Sequence, residues 1–282
     1  MRVVITRPAG DAHAWREAVQ NAGHEAVVLP LIEVGPAHQA EPTLQAWAHW
    51  PQWQAVMFVS AQAVRYFFER QPTPLRTDAG NAAGTTWANG PRCWATGPGT
   101  HQALLQAGVP EACIDSPSAD AVQFDSEALW ARVASQVQAN QPVLIVRGHD
   151  ARDATKPAVQ ASPRLHGEPT NGTGRDWLAQ QLQAVGASVQ FVVSYERRLP
   201  LWSVEQIAQA QQSATDGSVW CFSSSQAIQH LALLCPKQNW SSARCIATHA
   251  RIAQAAKALG FGGIHLSRPS VADVLGSLEC LA

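Results

Sequence analysis

The chain has 282 residues, 46% of them hydrophobic and only 15% charged, with a formal net charge of −1. That length suits two domains of ordinary size, each with its own core, and the composition excludes a disordered chain. A charge so near zero provides no global field to draw in nucleic acid or an anionic membrane, so recognition of anions has to be local.

In chain order, "RVVIT" at 2–6 reads as a buried strand and is followed by a helix over 10–22. In that helix Ala14, Trp15, Ala18 and Val19 keep helical spacing, and Gly23 supplies a C-terminal stop. "EAVVLPLIEV" at 25–34 returns as strand. Trp47, Trp50 and Trp53 recur every third residue and read as packing along a short helix or turn. "AVMFVS" is a strand leading into a helix from Ala61, "RCWATG" leads into one over 99–107, and "ACIDS" into one over 126–137. "PVLIVRG" is a strand and "GRDWLAQQLQAVGA" a helix ending at Gly186. The strands "SVQFVVSYER", "SVWCFSS", "ARCIATH" and "GGIHLS" complete the set. Strands alternating with helices of this length predict an α/β protein with parallel sheets covered by helices.

Segments 72–91 and 149–174 are rich in Gly, Ala, Thr, Asn and Pro, have no period, and read as surface loops. No run approaches the roughly 18 apolar residues of a membrane span. "MRVVITRPAG" enters a strand directly, without a signal-peptide pattern, so a cytoplasmic protein is expected. Cys93, Cys113, Cys221, Cys235, Cys245 and Cys280 form no C-x-x-C pair and read as reduced structural thiols.

The sequence repeats itself. "FVSAQAV" at 58–64 and "FSSSQAI" at 222–228 share F-x-S-x-Q-A followed by a β-branched residue. "ATGPGTHQALLQAGV" at 95–109 parallels "ATHARIAQAAKALGF" at 247–261. "VVITRP" at 3–8 parallels "VLIVRG" at 143–148, and "AGHEAVVLPLIEV" at 22–34 parallels "VGASVQFVVSYER" at 185–197. Ser118 and Asp120 stand beside Ser270 and Asp273 as matching helix starts. Pairings in matching order imply a duplication and two similar α/β domains.

The feature both repeats share is a polar residue at the carboxyl end of an apolar strand, the edge where open parallel sheets bind ligands. Arg7, Ser60, Thr96 and Gly97 occupy such ends in the first half, and Arg147, Ser223, Ser224, Ser225 and Thr248 in the second. Each following helix brings unpaired N–H groups and a positive dipole end suited to carboxylate or phosphate. The ordinary role of a single Ser or Thr here is helix capping, and that of Arg7 or Arg147 a surface ion pair. Tyr195 and Tyr66 are the only tyrosines; Tyr195 ends a strand in "SYERR", as a donor in a cleft or as a packed strand residue. "ATGPGT" lacks the lysine of a P-loop and the third glycine of a dinucleotide fingerprint. His101, His230, His249 and His265 have no ligand spacing, so no metal is expected. Asp150, Asp153 and Asp176 read as solvating the second loop. No Ser–His–Asp or Cys–His arrangement can be argued from residue order.

Together "VVITRPAG", "GHEAVVLPLIEV", "FVSAQAV", "ATGPGT", "GRDWLAQQLQAVGASVQFVVSYER", "FSSSQAI" and "ATHARIAQAAKALG" resemble the uroporphyrinogen-III synthase family, almost end to end apart from the two loops. The resemblance implies two flavodoxin-like domains, each a parallel sheet flanked by helices, joined by a two-strand linker. Domain one would hold 1–34 and 199–282 and domain two 37–194, with crossings near 35–36 and 195–198. It implies cyclisation of the linear tetrapyrrole hydroxymethylbilane to uroporphyrinogen III, with loss of water and inversion of the last ring through a spiro intermediate. The protein would use no cofactor, act as a monomer, bind no nucleic acid or membrane, and make transient contact with the preceding pathway enzyme.

The resemblance makes Tyr195 the proton donor or leaving-group orienter. It adds Gln62, Ala63, Thr100, Gly148, Gln226 and Arg251, from the same motifs, to the strand-end residues as substrate binders. Ser60 and the Ser223–Ser225 cluster would face each other across the interdomain cleft and hold substrate carboxylates. The family pattern brings R-G close to G-R-x-W-L; here a long loop separates Arg147 and Gly148 from 174–178, and it reads as a lid over the cleft or, the favoured reading, as a spacer. The rival readings are a non-enzymatic two-domain binder of small organic anions and a paralogue that binds tetrapyrroles without turnover.

Overall fold

The computed structural model describes residues 1–72, 87, 90–117, 126–151 and 175–281. The apolar runs become short strands, each followed by a helix. The chain opens with β1 (Arg2–Ile5), α1 (Ala9–Asn21), β2 (Glu25–Val28), β3 (Glu33–Pro36) and α2 (Glu41–Ala48). There follow β4 (Ala55–Phe58), α3 (Ala61–Phe68), β5 (Arg92–Ala95), α4 (Pro98–Gln106), β6 (Ile114–Asp115) and α5 (Ser126–Val133). Next come β7 (Pro142–Asp150), α6 (Arg175–Ala184), β8 (Ser188–Arg198) and α7 (Val204–Gln212). The chain closes with β9 (Val219–Phe222), α8 (Ser225–Leu234), β10 (Arg244–Ala247), α9 (Ala250–Leu259), β11 (Gly263–Leu266) and α10 (Val271–Glu279).

The chain divides into two compact units, Met1–Val34 with Arg198–Ala282, and Gly35–Arg197. In the first, a parallel sheet runs β11-β10-β9-β1-β2. Side chains alternate across it as strand geometry dictates. Val3, Ile5, Val219, Cys221 and Ile246 pack with Trp15 and Val19 of α1 and Val274 and Leu278 of α10. Val4, Trp220, Phe222 and Cys245 pack with Ala210 of α7, Ile228 and Leu231 of α8 and Ile252 of α9. Helices thus cover both faces, and this is why β9 is four consecutive buried residues. Each fully buried aliphatic or aromatic side chain contributes roughly 1.5–3 kcal/mol.

The second sheet runs β3-β8-β7-β4-β5-β6, with parallel pairing from β8 through β6. By the repeat alignment β7 answers to β1, β8 to β2, β4 to β9 and β5 to β10. The order β8-β7-β4-β5 therefore reproduces β2-β1-β9-β10, and both sheets have the flavodoxin-like arrangement. In the second unit the strands answering to β1 and β2 simply come last in the chain. Trp47 and Trp50 stack at 4.5 Å in this unit and are joined by Phe67 and Phe68, so the tryptophan series is core.

Some elements differ from the sequence reading. "EAVVLPLIEV" is two strands in different sheets, β2 and β3, because Pro30, without an N–H, interrupts the ladder that Leu29 and Leu31 make to Ile5 and Thr6. Residues 195–198, expected as a linker, belong to β8, whose pairing with β7 runs on to Asp150↔Arg197. The helix expected over 126–137 ends at Val133 and tightens into a 3-10 turn over Ala134–Gln136. Helix α7 was not anticipated. Segments 72–91 and 149–174 lie mostly outside the described residues, as do Ser118, Asp120 and Asp153. Among the described residues no helix is long and apolar enough to cross a membrane.

Candidate functional site

In each unit the strand order reverses once, between β1 and β9 in the first and between β7 and β4 in the second, and ligands of such sheets bind beyond the strand ends at that point. The second unit places its most distinctive polar cluster there. Ser60 leaves β4 with an extended backbone and caps α3, its Oγ accepting the Ala63 N–H at 3.2 Å. The Tyr195 hydroxyl lies 3.2 Å from Ser60 Oγ and accepts from Arg197 Nη2 at 3.2 Å. Arg197 Nη1 is held by Asp150 Oδ1 at 3.2 Å. Tyr195 is only 1% exposed and its ring stacks 6.1 Å from that of Tyr66.

A β-bulge puts Tyr195 there. Arg147 pairs with Val193 but Gly148 pairs with Tyr195, which leaves Ser194 as the extra residue on β8. Strict alternation sends consecutive side chains to opposite faces; a bulge re-aims them. Both Ser194 and Tyr195 consequently reach the start of α3, Ser194 Oγ donating to the Ala63 carbonyl at 3.1 Å. The Tyr195 ring lies so close over Gly148 that a Cβ built there would come within 2.2 Å of its Cζ.

The first unit shows the same frame without the phenol. Ser224, the counterpart of Ser60, caps α8 by accepting the Gln226 N–H at 3.2 Å. Thr6 Oγ1 donates to the Cys221 carbonyl at 2.7 Å. A small pocket at the ends of β1, β9 and β10 is lined by Arg7, Trp15, Ser223 and Thr248, so these three predicted polar residues converge. In the aligned repeats Ile32 stands where the second unit has Tyr195.

Both strand-end arginines stack on aromatic rings, Arg7 4.2 Å from the Trp15 centroid and Arg147 4.6 Å from that of Phe191, and neither forms an ion pair among the described residues. Burial lowers the Arg7 pKa from its usual value, partly offset by Asp11. Burial also pushes the Cys221 and Cys245 thiols up to about 12 and raises that of Cys93 further, so none is a thiolate nucleophile near neutral pH.

Several expected binders have other employment. Ala63 is fully buried, with its N–H on Ser60 and its carbonyl on Ser194, so it offers nothing to a ligand. Gly148 is the seat of the Tyr195 ring. The backbone N–H groups of Gln226 and Arg251 are spent on the caps Ser224 and His249. His249, not Thr248, caps α9, whereas Thr248 donates its N–H to the Phe222 carbonyl. Gly97 caps α4 without a side-chain bond; Thr96 and Thr100 lie 3.5 Å apart by their hydroxyls, and Thr100 is buried. The Gln62 Oε1 and Ser225 Oγ atoms are buried and have no hydrogen-bond partner among the described residues.

Three contributors were missed by the sequence reading: Arg197, Ser194 and Tyr66. Arg197 was signalled by "YER", because a residue two positions along a strand shares the face of Tyr195; the bulge carried no sequence mark. His101 bridges Ser116 and Glu111 at 3.0 and 3.2 Å, tying α4 to the segment around β6. Among the described residues no group of three or more His, Cys, Asp or Glu could hold a metal ion.

Polar groups gathered at the switch points of two flavodoxin-like units define an α/β protein of the small-molecule-handling kind. A family model described as uroporphyrinogen-III synthase HemD matches residues 13–162, more than half of the chain. The chain therefore belongs to the uroporphyrinogen-III synthase family, whose members are enzymes of tetrapyrrole synthesis. Among solved structures, uroporphyrinogen-III synthetase from Helicobacter pylori is 15% identical, with 100% of both chains covered and a TM-score of 0.54. A mutant uroporphyrinogen III synthase from the extremely thermophilic bacterium Thermus thermophilus is 14% identical over 100% of this chain and 98% of its own, with a TM-score of 0.49. The Helicobacter likeness shows the fold. No curated protein sequence matches the chain.

Proposed function

We propose that the protein is a carbon–oxygen lyase that closes hydroxymethylbilane to uroporphyrinogen III, releasing water and inverting the last pyrrole ring. The observation that carries the site assignment is the Tyr195 phenol, bonded to Ser60 and Arg197 at the switch point of the second sheet. Loss of the hydroxyl needs an acid and generates an azafulvenium-like cation. The last ring then attacks through its substituted carbon, gives a spiro intermediate, fragments and recloses. In water the bilane closes without inversion, so the protein's main contribution is to restrain the substrate in the inverting geometry.

The substrate is rich in carboxylates. Arg7, Ser223 and Thr248 in the first unit, and the start of α4 in the second, are the groups assigned to hold them. Met1–Val34 with Arg198–Ala282, and Gly35–Arg197, act as the two domains, and the protein works as a cytoplasmic monomer without a cofactor. Freshly prepared hydroxymethylbilane is the test. The expected product is the type III isomer, formed faster than spontaneous closure; type I alone, at the uncatalysed rate, overturns the synthase reading and leaves a binding protein.

A further inference from the structure

We propose that Tyr195 does not touch the substrate and that its proton reaches the leaving hydroxyl through Ser60. This rests on the synthase reading above. Tyr195 is 1% exposed, roofed by Tyr66 and seated on Gly148, whereas Ser60 is half-buried at the open end of β4.

The direction of the chain follows from donor counting. Arg197 has only donors, so the Tyr195 oxygen accepts from it. The phenolic proton then has Ser60 Oγ as its polar partner, and a buried donor left unpaired is costly. Tyr195 therefore donates to Ser60. Ser60 Oγ also accepts the Ala63 N–H, which fills both of its lone pairs. Among the described residues, this leaves the Ser60 O–H without a partner, on a side chain that is only half-buried.

The step balances without a co-reactant. The Ser60 proton passes to the leaving oxygen as the C–O bond of the hydroxymethyl group breaks and the pyrrole nitrogen lone pair fills the new C=C framework. Water departs, and the Tyr195 proton moves onto Ser60 Oγ. The phenolate left behind is held by the Arg197 guanidinium, itself anchored on Asp150. When the pyrrole ring that has been attacked regains its aromaticity it loses one proton, which returns through Ser60 to Tyr195. On this account Ser60 is the catalytic residue and Arg197 a positioning residue acting through Tyr195. The first unit is an internal contrast: it keeps the capping serine, Ser224, but has Ile32 in the aligned place of the phenol, so no relay can form there.

The test is a double-mutant cycle read as the rate of type III formation. Ser60→Gly removes the hydroxyl while remaining a good N-cap. Ser60→Gly and Tyr195→Phe should each lower kcat about tenfold or more with KM little changed, and the double variant should be no slower than the slower single one. Ser60→Thr, which restores a hydroxyl, should recover most of the rate. Arg197→Gln should lower kcat several-fold at unchanged KM, with Arg197→Lys recovering part. The wild-type proton inventory in mixed light and heavy water should be curved, as for two moving protons, and linear in Ser60→Gly. A Ser60→Gly variant with wild-type kcat, or multiplicative effects in the double variant, overturns the relay while the synthase reading stands. Absence of type III product from the wild type overturns that reading itself.

Discussion

Gly148 and Tyr195 show how one position sets another. The pairing shift at Arg147/Gly148 brings the phenol ring flat onto a glycine, and only the missing Cβ makes room. A methyl group there would lie 2.2 Å from Tyr195 Cζ, and the ring cannot retreat far because Tyr66 stacks behind it. Overpacking of this kind costs about 1–3 kcal/mol. Gly148→Ala is therefore expected to lower Tm and to slow type III formation at least as much as Tyr195→Phe, since it pulls the hydroxyl away from Ser60. Unchanged Tm and kcat together would show that the ring does not lie over Gly148. In the sequence, "RG" marks a special strand end but not the reason for it. The close approach depends on a bulge at Ser194, and nothing distinguishes that serine from an ordinary strand residue until the pairing is known.

At the scale of elements, junction chemistry recurs. Ser60, Ser224 and Ser270 each cap the helix that follows, and His249 does the same with its ring nitrogen. The strand–helix alternation and the S-x-Q-A starts were legible because apolar runs and capping hydroxyls are local signals. What stayed hidden was α7, where Ala210 alone is fully buried and the apolar stripe is thin. Its sign was instead the capping box: Ser203 Oγ accepts the Gln206 N–H at 3.3 Å, and Gln206 Oε1 accepts the Ser203 N–H at 2.9 Å. A helix with so little burial leans on that cap. Ser203→Ala should cost about 1 kcal/mol, seen as a Tm lower by a few degrees, while the isomer formed stays type III. A Tm equal to wild type would mean that packing, not the cap, holds α7. The break between β2 and β3 was legible in principle at Pro30, but an unbroken apolar run outweighed one proline in the reading.

For the molecule as a whole, the duplication seen in the motifs is realised as one strand order used twice, but the chain enters that order at different points. The second unit, Gly35–Arg197, is continuous, with β7 and β8 following β4, β5 and β6. The first unit needs both chain ends: β1 lies between β9 and β2, and α1 covers the sheet face formed by Val219, Cys221 and Ile246. A fragment of 198–282 would expose the edge of β9, a strand buried on both faces, with its ladder groups unpaired toward the missing β1. It is expected to lack near-UV circular dichroism from Trp220 and Trp240 and to aggregate. Mixing it with a peptide of 1–34 should restore that signal, because the peptide returns β1, α1 and β2 together. A fragment of 35–197 should melt cooperatively on its own, since the aromatic core around Trp47, Trp50 and Phe67 lies within it. Cooperative melting of 198–282 alone, or a 35–197 fragment without near-UV signal, would refute this division of the core between the two units.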